Sequence, residues 1–237
     1  MNEKIQKLIN LAKQKMAGSM DHCHDLSHVN RVVNFSEQIS REFNLSEKQK
    51  HALLIAAWWH DVGRTIKKNP SYIWMSFLDD MISAFLLWKT SLGAFSSGGV
   101  TGLSSRIILC KSLGTGAFFT KFLLWRDNRI LVNILTDADR LDQFNLERHK
   151  EFFYLVENSR RYRLSYRIMN RWFFYFRQIK LKTAAAKEMI KQIMRTFLNW
   201  IKSVAVFNWH VRQFGYIWTQ KNLRRVEKAI FRIQCAA

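Results

Sequence analysis

The sequence predicts an all-α fold. A single proline, Pro70, interrupts 237 residues. Strand-like alternation between turn signals is nearly absent, and long segments place apolar residues at steps of three and four. At this length the chain can bury a substantial core, and it reads as one domain over 1–237.

The elements follow in order. Residues 2–17 form an amphipathic helix that stops near Gly18. The next helix starts near Ser27 and carries His28, Val32, Phe35, Ile39 and Phe43 along one side. Ser46, followed by Glu47, is a helix start for EKQKHALLIAAWWHDVGR, which Gly63 closes. Residues 71–94 predict another helix, and SLGAFSSGGVTGLSS (91–105) predicts a loop rich in Gly and Ser. Shorter helices are expected over 105–113 and 117–126, then a stronger one in NRILVNILTDADRLDQF. From about 147 onward the chain is helical, basic and aromatic, with no strong linker.

Charge sets the second bound. Lys and Arg number 38 against 18 Asp and Glu, a formal charge of +20. Such an imbalance attracts phosphates, nucleic acid or anionic surfaces and says nothing about fold. Cys23, Cys110 and Cys235 are scattered and odd in number, which argues against a disulfide framework and for a reducing, cytoplasmic setting. The N-terminus is charged throughout and lacks the apolar block of a signal peptide. The most apolar stretch, IWMSFLDDMISAFLLWKTSLGAF, is interrupted by Asp79, Asp80 and Lys89, so no spanning helix is expected.

Three separated pieces carry the candidate chemistry. MDHCHDLSHVNRVV (20–33) gathers His22, His24 and His28 with Asp21 and Asp25, and His28 shares the buried stripe of its helix. AAWWHDVGR sets His60 and Asp61 side by side at the end of an apolar helix. Buried without partners, those two polar side chains would cost about 1–3 kcal/mol each, and a cation between them would satisfy both. ILTDADRLDQF offers Asp137 and Asp139. Two residues turn a helix by about 200°, so only one of them can face a given ion. Asp139 continues the apolar line of Leu131 and Leu135 and is the favoured one.

His28, His60, Asp61 and Asp139 thus make a mixed set of two imidazoles and two carboxylates. That set suits one first-row divalent ion (Mn, Fe, Co, Ni or Zn, with Mg as a further candidate) better than calcium. A zinc site built on His22, Cys23 and His24 is disfavoured, because no second Cys/His pair of usable spacing follows.

The motifs resemble those of the HD-domain metal-dependent phosphohydrolases, whose spaced H…HD…D pattern is matched by His28, His60-Asp61 and Asp139. HDLSHVNRV is similar to the H-D-x-x-H-x-x-R-V opening of one bacterial subgroup, HDVGR to its H-D-[IV]-G-R, and DADRLDQF to its D-A-D-R-L-D segment. KLKTAAAKEMIKQIMRTFL (180–198) is weakly similar to the Thr-x-x-Ala helix that closes such domains. The likeness covers about residues 20–200. It departs where DADRLD runs into Gln143, Phe144 and Asn145, and where 71–126 is unusually aromatic. No histidine lies between His60 and His149, which implies one ion rather than two.

The resemblance implies an all-α hydrolase of phosphate esters or anhydrides, acting on a nucleotide or another small phosphorylated compound. Asp61 would both hold the ion and orient the attacking water. Arg31, Arg64 and Lys67 are the candidates for substrate phosphate, and Asp25 for a hydrogen bond that orients the His28 ring. Trp58 and Trp59 are expected to wall the cavity.

The last third supports a different reading. From Lys150 to Ala237, Lys and Arg number 19 against four Glu and no Asp. Arg160, Arg163, Arg167 and Arg171 recur at helical spacing, interleaved with Tyr162, Tyr166 and Trp172–Phe176. Arginine with aromatics is the composition of surfaces that hold nucleic acid. The same side chains can instead cover helix flanks and fill a core. The alternative function is therefore a nucleic-acid-binding module on the same scaffold, with weak or no hydrolysis.

Overall fold

The protein is all α. The structure, a computed structural model, describes residues 3–21, 24–66, 72–93, 99–111, 120, 122–171 and 180–235. By their internal contacts these divide into two compact units, Met1–Asp139 and Arg140–Ala237, where the sequence reads as one domain. No helix among the described residues is long and apolar enough to cross a membrane.

In the first unit, α1 (Glu3–Ala17) buries Ile5, Leu8, Ile9, Ala12 and Met16 along one face. α2 (Leu26–Ser40) begins at an Asp25 cap and buries His28, Val29, Val32, Val33, Ser36 and Ile39. α3 (Glu47–Trp59) opens with a reciprocal cap. Ser46 accepts from the Gln49 N–H, and the Gln49 side chain accepts from the Ser46 N–H. The indole N–H of Trp59 donates to the Leu8 carbonyl at 3.0 Å and ties α3 to α1.

α3 is shorter than the sequence suggests. It closes at Trp59, His60 takes the C-cap, and Val62–Ile66 wind into a 3-10 helix. The tighter turn presses Gly63 against α4 (Tyr72–Gly93). Its N–H donates to Ser83 Oγ at 2.8 Å, and a Cβ there would stand 2.6 Å from the Asp79 carbonyl oxygen. Only glycine allows that approach.

The loop expected over 91–105 is also shorter. α4 runs to Gly93 and α5 covers Val100–Lys111, while 94–98 lie outside the described residues. Ser104 Oγ donates to the Val100 carbonyl, and Thr101, Leu103 and Ser104 are buried. Packing of α5 on α3 and α4 outweighs the weak helix propensity of its Gly and Ser. Most of the helix expected over 117–126 lies outside the described residues, and Arg126–Asn128 form a 3-10 turn. It leads into α6 (Arg129–Asp142), which buries Leu131, Ile134, Leu135 and Ala138.

The second unit begins within α6 and continues through α7 (Leu146–Asn158), α8 (Arg160–Arg171), α9 (Ala184–Lys202), α10 (Val204–Phe214) and α11 (Tyr216–Cys235). Its core is aromatic. Phe153 stacks on Trp209, and Tyr166 stacks on Phe214. Tyr166 Oη lies 2.9 Å from His210 Nε2, and His210 Nδ1 donates to the Val206 carbonyl, so the hydroxyl is the donor to the ring. Burial lowers His210 to about 4 and His149 to about 3, leaving both rings neutral. Tyr166 is therefore core and offers no stacking platform. Trp172–Phe176 lie outside the described residues.

Candidate metal centre

Four side chains from separate pieces of the first unit converge. α2 supplies His28 from its first turn, the end of α3 supplies His60 and Asp61, and α6 supplies Asp139. His28 Nε2 lies 3.4 Å from His60 Nε2. Asp61 Oδ2 is 3.1 Å from the first of these atoms and 3.4 Å from the second. Asp139 Oδ1 is 3.6 Å from His28 Nε2. His28 and His60 are fully buried and Asp61 nearly so, whereas the Asp139 side chain keeps 21% of its surface exposed. One side of the cluster is therefore open.

The backbone fixes the tautomer of the histidine at the helix end. His60 Nδ1 donates to the Ala57 carbonyl at 2.8 Å, so that nitrogen carries the proton and Nε2 presents a lone pair to the cluster. Burial lowers the ring's proton affinity, opposed by the Asp61 carboxylate, and keeps it neutral. Asp61 is ionised. Burial opposes its charge, but the His60, His24 and His28 rings and Arg64 hold it well below the usual carboxylate range. Among the described residues no donor meets Asp61 Oδ2 in good hydrogen-bond geometry, although the His28 ring stands close enough to lower its proton affinity. The ligand atoms of His28, His60 and Asp139 all lie within 4.8 Å of one another, close enough to share an ion.

The surroundings are rich in acids. Asp21, Asp79 and Asp80 are buried beside Asp61 and Asp139, and the cations Arg64 and Lys111 are buried with them. Arg64 spans Asp21 at 3.1 Å and Asp79 at 2.5 Å, with Asp61 Oδ1 at 3.8 Å. Lys111 Nζ sits 2.9 Å from Asp139 Oδ2 and 3.4 Å from Asp80 Oδ1. Burial alone would lower its proton affinity, but the Asp139 and Asp80 carboxylates raise it instead. Burial pushes Asp80 up to about 7, and Lys111 only partly offsets this. Five carboxyl groups thus face two side-chain cations in this cluster, and burial raises Asp79 as well as Asp80, so the excess of acid is met partly by retained protons.

Several expectations change. Asp25 accepts from the main-chain N–H of His28 at 2.9 Å, so this bond caps α2, where the sequence reading had it orient the ring. Arg64 is engaged by carboxylates at 5% exposure, so it braces the site and is not presented to a phosphate. Arg31 is half-buried on α2, and Lys67 lies outside the described residues. Trp59 faces α1 and Trp58 lies under the Lys13 ammonium, so both pack helices together. Asp137 is fully buried on a different face of α6 from Asp139. His24 Nδ1 lies 3.1 Å from Asp21 Oδ2, while His22 and Cys23 lie outside the described residues.

Sequence reasoning missed Lys111, Asp21, Asp79 and Asp80. The signal was present in the last two, since adjacent acids within an otherwise apolar helix need a buried partner. Comparison with family models, with curated proteins and with solved structures gave no match for this chain.

Proposed function

We propose that the chain is a mononuclear, divalent-metal-dependent phosphohydrolase of the HD type, acting on a nucleotide or another small phosphorylated compound. The observation that carries this is the spacing of His28 Nε2, His60 Nε2 and Asp61 Oδ2, mutually 3.1–3.4 Å apart. Ligand atoms each about 2.0–2.2 Å from one ion, at tetrahedral to octahedral angles, stand about 2.8–3.6 Å from one another. The H…HD…D motif order supports the same reading.

A bound divalent ion would lower the pKa of a coordinated water towards neutrality and polarise a phosphoryl oxygen. The residues of the chain do the rest. The Ala57 carbonyl fixes the His60 tautomer. Arg64 steadies one oxygen of Asp61 and leaves the other facing the histidines. Asp139, on the open side, is braced by Lys111. Arg31, three residues past His28, remains a candidate for the phosphate, with Lys67 beside it in the proposal. A cytoplasmic setting fits Cys110, a buried free thiol. The test is phosphate or pyrophosphate release from a nucleotide panel with Mn, Ni or Co ions. Turnover that a chelator abolishes is expected, and no turnover with any of these ions contradicts the proposal.

One observation favours a second reading, a nucleic-acid-binding module. In Arg140–Ala237, Lys and Arg outnumber Asp and Glu by 21 to 6, and α8 exposes Arg160, Arg161 and Arg167. Neutralised phosphates release counterions, so affinity for single-stranded RNA or DNA is expected to fall steeply with salt. Changing those three arginines to glutamine should flatten the log–log slope by about 2. Binding indifferent to salt counts against this reading.

A further inference from the structure

α4 is amphipathic in reverse. The face it buries carries Asp79, Asp80, Ser83 and Ser91, with Ala84 and Leu87 among them. The face it exposes carries Leu78, Met81, Phe85, Trp88 and Leu92, each between 43% and 57% exposed. These five positions alternate at steps of three and four, so they fall within about 80° of one another around the helix and run about 21 Å along it. The inward face is explained, since it supplies acids to the cluster and receives Gly63. Among the described residues of the first unit, none explains the outward one.

We propose that this stripe is a homodimer interface, in which α4 packs against α4 of a second copy. Three observations select that occupant. The three-four alternation is the spacing that keeps an apolar seam facing a partner helix. A stripe of one character along its whole length is self-complementary, as a two-fold contact requires. The exposed fractions correspond to about 450 Å² per copy and about 900 Å² per pair, near the ~1,000 Å² floor of a biological interface. That is short of the ~1,200–2,000 Å² of a stable one, so the pair is a weak, reversible dimer. The exposed Lys89 borders the stripe and stays solvated at the rim of such a pair.

A lipid surface is a poorer match. Helices that lie in a membrane interface set a Lys/Arg-rich face opposite the apolar one, whereas α4 has buried acids there. The pairing is independent of any bound ion and stands apart from the proposed reaction.

Light scattering on the full chain at about 50 µM tests it, because an interface of this size gives micromolar affinity. The expected mass is twice 28.2 kDa. Each copy carries +20, so the dimer should tighten as salt screens the repulsion. F85E/W88E should weaken it at least about a hundredfold while leaving the helical circular dichroism unchanged. A single-chain mass for the wild type overturns the proposal, whether or not the double variant folds. So does a dimer that persists in a folded F85E/W88E chain. A monomer that floats with phosphatidylserine vesicles through these residues would assign the face to lipid and overturn it as well.

Discussion

Asp61→Asn is expected to abolish metal-dependent turnover, by at least about a thousandfold, and to lower the melting temperature of the metal-free protein. Both effects follow from the charge of Asp61 and its place. Asp61 Oδ2 is buried 3.1 Å and 3.4 Å from two imidazole nitrogens. In the proposed enzyme an ion occupies the space between them, and a neutral amide binds it poorly. Without the ion, burial opposes the charge, but the surrounding imidazoles and Arg64 still hold the carboxyl well below the ordinary range. Its charge therefore contributes stability above an unfolded pKa near 4, and the amide forfeits that contribution. Arg64 keeps Asp21 and Asp79, so the brace survives. Melting curves with chelator and with Mn ions check both parts. An unchanged ion-induced rise in the variant contradicts the role given to Asp61.

Lys111→Met is expected to destabilise the metal-free fold by about 3–5 kcal/mol at neutral pH, because removing one partner leaves buried charge uncompensated. Lys111 lies 2.9 Å from Asp139 and 3.4 Å from Asp80, and all three are largely buried. The deficit has a definite pH dependence. Burial opposes ionisation of Asp139, but Lys111 and the two histidines hold its folded-state pKa below the ordinary value. A depressed acid contributes stability that is present above its unfolded pKa, near 4, and lost as pH falls through the folded value. Without Lys111 that contribution disappears. Asp80, already raised by burial to about 7, loses its nearest cation too. Both acids then favour the protonated state, so the penalty exists at pH 7–8 and shrinks towards pH 4. Thermal melts of both proteins across that range check it. An equal difference at pH 7.5 and pH 4.5 contradicts the pairing.

The fold class was legible because helical periodicity is a local property. α1 and α2 announce themselves by apolar spacing, and α3 by the Ser46 start whose cap the structure contains. What escaped depends on packing. The end of α3 at Trp59 answers to the close approach of Gly63 and α4, two segments whose proximity no local pattern encodes. Helix formation at 100–105 overrides a composition typical of loops because α5 lies against α3 and α4. The division into two units was hidden for a related reason. Its boundary falls inside α6, where a continuous helix leaves no Gly, Pro or polar linker to mark it.

At the candidate site, the pieces that the sequence set side by side do meet in space. His28, His60, Asp61 and Asp139 were readable because each is a polar residue on or beside an apolar stripe. Lys111, Asp79 and Asp80 were harder, since their significance lies in one another. Read singly, they look like interruptions in an apolar run. Only the three-dimensional arrangement shows Lys111 between Asp80 and Asp139. For Arg64 the converse holds, since a basic residue after the HD doublet suggests a phosphate contact, whereas the structure places Asp21 and Asp79 around it.

Anomalous diffraction at the manganese edge from crystals grown with Mn ions tests the central claim most directly. The expected result is one strong peak per chain, within about 2.0–2.4 Å of His28 Nε2, His60 Nε2, Asp61 Oδ2 and an Asp139 carboxylate oxygen. A map with no peak among these four side chains, or with the ion bound elsewhere, would contradict it.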